Sequence, residues 1–393
     1  MAKELTYLNG QIDALFPSLK KFREDLHKYP ELGWNEFRTT QKIEEALSSN
    51  GVKNFIKPLE TGGYINFINQ SGAPFVLLRA DIDALPITDL KDVPYASIYP
   101  GICHACGHDV HTSIILGLLL LMKKLKPDLP FNLRFVFQPA EEPIPGGASK
   151  LIPKGILNDV KYAIGIHVDP RIEEGTVSIS PGWINMQSIR LNIFLSAKGG
   201  HSAYPHKTSD LIWMASRIVL DAYQIVYREF DLLKNPIVLT FTEINAGEGY
   251  NIIPSSLKLT GTLRVTDAET KNGFLKRLES LLDSMGSESK TRLNLEVTEG
   301  APPVVNDPNL VEKFLNTHSN SILKNIKIIK DLRSPGGDDF GYYSNERPSL
   351  LIRFGIAKEG IDSALHTGSF DVDANVIKIA LRYLSYQLLN LEV

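Results

Sequence analysis

Eleven residues of this chain, "GICHACGHDVH" from Gly101 to His111, hold both of its cysteines, three histidines and an aspartate. Thiolate sulfur, imidazole nitrogen and carboxylate oxygen are the usual ligands of zinc and related divalent cations. Cys106 and His108 stand two apart, a spacing that lets both reach one pair of cations from a turn before a helix. Further along, "FVFQPAEEP" carries the adjacent carboxylates Glu141 and Glu142, "YAIGIHVDP" carries His167, and "VLLRADIDALP" carries Asp81 and Asp83. Two neighbouring glutamates suit a division of labour. One binds a cation while the other takes a proton from water that the cation has acidified. A hydrolase needs this set of parts.

Each group also has an ordinary reading. A Glu-Glu pair alone is more often a solvated loop, single histidines such as His27, His104 and His206 are more often structural, and His111 reads equally well as helix surface. Cys103 and Cys106 form a C-x-x-C, which in a cytosolic protein also describes a redox dithiol. The flanking His104, His108 and His111 are more than a dithiol needs, and Gly107 stands where a haem-attachment signature requires histidine. Cys103 needs no role beyond packing.

The elements that must position these residues are strands of an α/β sheet. "QIDALFPSLKKFREDLHKYP" has helix-period apolar residues and ends at Pro30, "PFVLLRA" is a short β-rich run, and "TSIILGLLLLMKKLK" is a long apolar helix. Two more strands follow, "FNLRFVFQ" and "KYAIGIHV". Near-continuous apolar strands alternating with helices predict a largely parallel sheet covered on both faces. The acidic residues and His167 fall just past such strands, where open α/β sheets bind their ligands. They can therefore meet in one crevice although they lie far apart in the chain.

The middle of the chain differs. "SIRLNIFLSA" alternates as a half-exposed strand, "SDLIWMASRIVLDAYQIVYREF" carries a helical period, and "PIVLTFTEI" and "SSLKLTGTLRV" are two further strands. A helix, "ETKNGFLKRLESLLDSM", and a strand, "RLNLEV", complete a β-α-β-β-α-β order, the ferredoxin-like pattern. The α/β style then resumes with "PSLLIRFGI" and a closing helix from "ANVIKIALRYL". The expected organisation is one α/β domain, residues 1–182 and 299–393, with an α+β unit inserted at 183–298. At 393 residues, two hydrophobic cores are the better expectation than one.

A formal charge of -3 without a Lys/Arg block gives no footprint for nucleic acid or an anionic membrane, so the partner is expected to be a small molecule. The start, "MAKELTYLNGQIDALF", does not read as a secretory signal. The longest apolar run, Ile114 to Met122, is far short of the ~20 residues of a membrane span. A cytoplasmic location follows, and two cysteines do not make a disulfide framework.

The ordered set "LRADIDALPI", "HACGHDVHT", "FQPAEE", "GIHV", "GGHSAYPH", "NIIP", "GTLR" and "ALHTG" resembles the M20 metallopeptidase superfamily, in its amidohydrolase branch. That branch includes hippurate hydrolases, N-acyl-amino-acid deacylases and indole-acetyl-amino-acid hydrolases. The resemblance covers nearly the whole chain and implies a zinc-peptidase-like α/β catalytic domain, an inserted ferredoxin-like satellite, and two divalent cations (Mn2+ or Zn2+, with Co2+ or Ni2+ as alternatives). It implies Cys106, His108, Glu142, His167 and His366 as metal ligands, with Cys106 between the ions, and Glu141 as general base toward a water bridging them. Asp83 would orient a ligand. His201 would stabilise the oxyanion from the satellite or from a neighbouring subunit, and Asn251 and Arg264 would contact the substrate. The implied reaction is hydrolysis of the amide bond of an N-acyl amino acid by a homodimer formed through the satellite, or a homotetramer. A dipeptidase or carboxypeptidase of the same superfamily is the nearest alternative; a redox or non-catalytic metal-binding protein is a more distant one. Two positions depart from the pattern: Asp338 stands where relatives often carry glutamate, and Pro143 follows the glutamate pair.

Overall fold

The computed structural model describes residues 2–319, 323 and 325–393. In chain order the elements begin with α1 (Ala2–Lys28), α2 (Phe37–Ser49), β1 (Gly63–Phe67), β2 (Phe75–Asp81), α3 (His108–Leu125), β3 (Asn132–Gln138), α4 (Gly147–Leu151), β4 (Val160–Glu173), β5 (Thr176–Ser178) and β6 (Gly182–Asn185). They continue with β7 (Gln187–Ser196), β8 (Gly200–His201), α5 (Leu211–Glu229), β9 (Ile237–Ala246), β10 (Ile252–Ile253), β11 (Ser256–Val265), α6 (Ala268–Ser289) and β12 (Arg292–Glu299). The last are β13 (Val304–Asn306), α7 (Pro308–Ser319), β14 (Lys327–Ile329), α8 (Gly341–Glu346), β15 (Ser349–Ala357) and α9 (Asn375–Leu389). Two compact units result. One comprises Met1–Ile184, Val304–Arg333 and Asp338–Val393, the other Asn185–Pro303 and Ser334–Gly337.

The first unit is built on a seven-stranded sheet in the order β1-β3-β2-β4-β15-β5-β14. Its centre, β3-β2-β4-β15, is parallel, as near-continuous apolar strands require. The sheet as a whole is mixed, because β1 runs antiparallel to β3 and β5 antiparallel to β15. These shorter strands carry too few alternating residues to announce their pairing. α2 is likewise not singled out by the apolar runs. Helices α1, α3 and α9 pack on one another, and α3 is buried at every position from His108 to Met122, as a helix apolar all round must be. Alternate residues of β2, Val76, Leu78 and Ala80, join this core; Phe75 and Leu77 face a second core with Leu151, Phe340 and Tyr343.

The second unit holds a four-stranded antiparallel sheet in the order β12-β7-β11-β9, the ferredoxin-like arrangement that the order of its elements predicts. Ile189, Leu191, Ile193 and Leu195 of β7 point into one core with α5 and α6 residues such as Ile218 and Phe274. Both helices start on an aspartate cap: Trp213 N donates to Asp210 and Thr270 N to Asp267.

Candidate metal centre

The polar cluster lies at the carboxyl ends of the parallel strands. Asp81, the last residue of β2, pairs in register with Gln138, the last of β3. The Arg79–Gly165 pairing puts His167 of β4 on the same level two positions on. β4 does not stop there, as its apolar run suggests; it continues to Glu173, alongside β15. Three left-handed turns then bring in the other side chains. Gly107, at φ 83°, lies between Cys106 and His108, and a Cβ there would stand 2.6 Å from Val168, so only glycine fits. Ala140, at φ 53°, precedes Glu141 and Glu142, and His366 itself adopts φ 59° with its N–H donated to Ala105 O at 2.8 Å.

The result is two groups of candidate ligands that share one sulfur. Cys106, His108 and His167 offer atoms within 4.8 Å of one another, and so do Cys106, Glu142 and His366. Cys106 Sγ lies 3.5 Å from His167 Nε2, and Glu142 Oε1 lies 3.6 Å from His366 Nε2 and 4.0 Å from His108 Nε2. The ring orientations suit a cation. His108 Nδ1 is 2.9 Å from Asp83 O, and His167 Nδ1 is 2.5 Å from Val168 O. A carbonyl oxygen only accepts, so each Nδ1 carries the proton and each Nε2 keeps a lone pair facing the cluster. His108 Nε2 and Glu142 Oε1 are buried without a hydrogen-bond partner, an expensive arrangement unless a cation takes both. The donor set of one thiol, three imidazoles and a carboxylate fits zinc or a similar divalent ion.

Burial pushes the Cys106 thiol well up, and it pushes Glu142 up to about 7 against the pull of His108. Glu141 is raised well above the usual carboxylate range, by burial first and then by Asp338, Glu142 and Asp339. Burial and the neighbouring His111 hold His167 well below its ordinary value. A bound cation reverses this balance, stabilising thiolate and carboxylate and neutral imidazole alike.

Behind the candidate ligands stands a frame that the motif spacing does not disclose. Arg79, fully buried, donates Nε to Gln138 Oε1 at 3.0 Å, Nη1 to Asp81 Oδ2 at 2.7 Å and Nη2 to Asp339 Oδ1 at 2.6 Å. Asp81 accepts from His111 Nδ1 at 2.7 Å, and Val168 N donates to His111 Nε2 at 2.9 Å. His111 is therefore not helix surface; it is fully buried and braces the strand beside His167. Asp339 N donates to Glu141 Oε1 at 3.2 Å, which ties the glutamate to the same frame. The available signal was an arginine inside an otherwise apolar strand, since unpaired arginines are almost never fully buried.

Asp83 meets the cluster twice: Oδ1 lies 3.1 Å from His108 Nδ1 and Oδ2 accepts from Glu142 N at 3.0 Å. Asp338 is buried and accepts from Phe340 N at 2.9 Å. Pro143 lies on Gly33, where a Cβ would come within 2.9 Å of its ring. The two cysteines are free and differently placed, Cys103 in the apolar core and Cys106 among the candidate ligands. His201, Asn251 and Arg264 belong to the second unit. There β8 and β10 bring His201 opposite Ile252, beside Asn251, whose O accepts from Ser202 N at 3.0 Å. Arg264 lies near the other end of β11 and donates Nη1 to Pro335 O at 2.6 Å.

The sequence model of peptidase family M20/M25/M40 matches residues 77–389. The chain is 34% identical over 376 residues to an N-acetyl-L-cysteine deacetylase of Bacillus subtilis, covering 96% of this chain and 88% of that one. It is 33% identical over 295 residues to an N-acyl-L-amino acid amidohydrolase of Geobacillus stearothermophilus, covering 75% and 80%. Its fold is similar to that of a dinuclear metal-binding peptidase of the M20 family from Bacillus subtilis, with a TM-score of 0.83, 27% identity and coverage of 96% and 98%.

Proposed function

This chain belongs to peptidase family M20/M25/M40, and from that membership we propose that it is a metal-dependent amidohydrolase cleaving N-acyl amino acids to a carboxylic acid and a free amino acid. The observation that carries the reading is the sulfur of Cys106 shared by two ligand groups, with a second glutamate, Glu141, beside the ligand Glu142. Cys106, His108 and His167 would hold one divalent cation and Cys106, Glu142 and His366 the other, supplying Lewis acidity at the acyl oxygen and acidifying the attacking water.

Glu141 is the general base. Its carboxylate takes the proton as the water oxygen bonds to the acyl carbon, then returns it to the amine as the carbon–nitrogen bond breaks. Asp83 orients His108 and, through Glu142 N, the ligand glutamate. His201 is the proposed oxyanion donor. Ala203 N donates to its Nδ1 at 3.1 Å, which leaves the ring proton on Nε2. Asn251 and Arg264 are the proposed substrate contacts, and Arg264 would exchange the Pro335 carbonyl for the substrate carboxylate.

The N-acyl specificity is supported by relatives that are named as a deacetylase of N-acetyl-L-cysteine and an amidohydrolase of N-acyl-L-amino acids. Manganese or zinc is the proposed native ion, with cobalt or nickel as substitutes. A homodimer through residues 183–298, or a tetramer built from it, is supported by the exposed Trp213, Leu220 and Tyr227 along α5. A cytoplasmic location is supported by the free thiols, one of them a proposed ligand that must stay reduced. Among the described residues no helix is long and apolar enough to cross a membrane.

The test is amine release from N-acetyl, N-benzoyl and N-indolylacetyl amino acids, with dipeptides alongside, by protein loaded with manganese or zinc. Release from acyl amino acids that disappears in Glu141→Gln while the bound metal stays is the expected result. Release from dipeptides alone moves the protein to the peptidases of its family, and undiminished activity in Glu141→Gln removes the assigned base.

A further inference from the structure

Ala140 is the hinge on which the two glutamates hang. It is a non-glycine residue at φ 53°, a conformation that L-residues avoid, and it directly precedes Glu141 and Glu142. Nothing about an alanine favours that turn, so the surroundings must impose it. Both of its backbone polar groups are held. Its carbonyl accepts from Gly147 N at 2.7 Å, within the same loop. Its N–H is donated at 2.7 Å to Glu36 Oε1, more than a hundred residues away in the chain.

Glu36 is itself fixed. It is fully buried at the start of α2, and its Oε2 accepts from Thr61 Oγ1 at 2.8 Å. Its carbonyl oxygen accepts from Thr40 N at 3.0 Å and from Thr40 Oγ1 at 2.6 Å. Thr40 Oγ1 in turn accepts from Gly62 N at 2.8 Å. The carboxylate is thus rigid before it reaches Ala140. It lies close enough to Asp83 to feel its charge, and burial together with that charge raises it to about 7. Side chains that bury a carboxyl without a cation partner do so for a hydrogen-bonding purpose. Here the purpose is the Ala140 amide.

We propose that Glu36 is a positioning residue for the reaction: its carboxyl clamps the Ala140 amide and so holds the left-handed turn that aims Glu141 and Glu142. The inference rests on the roles given above to those two glutamates. Among the described residues the Glu36 carboxyl accepts from Thr61 and from the Ala140 amide, neither of which is a proposed metal ligand. Without Glu36, Glu142 is still tied to Asp83 through its own amide at 3.0 Å, so the ligand stays while the base wanders, and misplacement of a reacting group by about 1 Å is enough to lose roughly 100-fold in rate.

The experiment compares Glu36→Ala, Glu36→Asp and Glu36→Gln in the full-length, metal-loaded protein, with kcat and KM for the best N-acyl amino acid and metal content measured for each. Glu36→Ala is expected to lower kcat by about 10- to 100-fold, with KM within about threefold and metal content unchanged. Glu36→Gln keeps an oxygen for the Ala140 amide, and the Thr61 hydroxyl turns to accept from its amide group; it is expected to retain kcat within about threefold. Glu36→Asp, one methylene short, is expected to fall with the alanine variant. Adding Ala140→Gly to Glu36→Ala is expected to recover part of the loss, because glycine adopts the left-handed turn unaided. Should Glu36→Ala fail to fold, the aspartate and glutamine variants decide by the same criterion. The proposal is overturned by a Glu36→Ala variant with undiminished kcat, by a kcat loss that merely follows metal loss, or by a glutamine variant as impaired as the aspartate one. If Glu141→Gln is fully active, the underlying reading fails; if it is inactive while Glu36→Ala is not, only the clamp does.

Discussion

Arg79 tests the frame behind the candidate centre. Its three nitrogens go to three different acceptors, Gln138, Asp81 and Asp339, at 3.0, 2.7 and 2.6 Å, and the side chain is fully buried. Arg79→Lys keeps the charge and three N–H donors but gathers them on one nitrogen, which cannot reach three acceptors spread around the guanidinium, so at least one hydrogen bond goes. Every one of these bonds has a cationic donor and is worth about 1.5–3 kcal/mol, giving an expected loss of about 1.5–3 kcal/mol. Arg79→Met, of similar length, leaves Asp81 and Asp339 buried without their cation, which costs about 3–5 kcal/mol. Against a total stability of about 5–15 kcal/mol this is a large fraction. The assay is unfolding of the metal-free protein followed by tryptophan fluorescence in a Trp213→Phe background, where Trp34 and Trp183 report on the first unit. At about 2–4 °C per kcal/mol, Arg79→Lys melts roughly 3–12 °C lower and Arg79→Met lower still. Asp339→Asn is expected to be far less damaging in the Arg79→Met background than alone, with a coupling of up to about 3 kcal/mol. An Arg79→Met variant that melts with its parent, or strict additivity with Asp339→Asn, would refute the reasoning.

Two further outcomes follow from the charges. Because burial holds the Cys106 thiol protonated at neutral pH, loading the metal-free protein with a divalent cation at pH 7.5 is expected to release at least one proton, read from the buffer dependence of the binding heat; Cys106→Ser releases one fewer. Burial raises the Asp169 carboxyl, but hydrogen bonds from Arg171 and the charge of Arg353 outweigh it and hold the group at about 2. A lowered folded-state value stabilises the protein above the unfolded-state value near 4 and is lost as pH falls through about 2, a contribution of about 2.5 kcal/mol. The urea midpoint of Asp169→Asn is therefore expected to lie below that of the parent at pH 5 and to approach it toward pH 2.5.

Local pattern was enough wherever one residue type in one spacing left a single physical option. Continuous apolar strands had to be parallel and covered, so "PFVLLRA", "FNLRFVFQ" and "KYAIGIHV" read correctly as the heart of the sheet. The inserted unit was legible for the same reason, its long strands and helices being uninterrupted and capped. The three-residue β5 and β14 and the edge strand β1 were not, since their place and direction depend on partners distant in the chain.

The sequence by itself determined the chemistry on offer: a thiol, imidazoles and paired carboxylates after strands, in an order and spacing suited to divalent cations. Only the tertiary structure decided which atoms of those groups are free. Val168 O and Asp83 O leave Nε2 of His167 and His108 facing the cluster, Asp81 and Val168 N occupy both ring nitrogens of His111, and Glu36 accepts from the Ala140 amide just before Glu141. Apart from the bond between the neighbours His167 and Val168, each of these is a hydrogen bond between residues distant in the chain. Residue type records the capacity for such a bond, but direction and partner exist only once the strands are laid side by side.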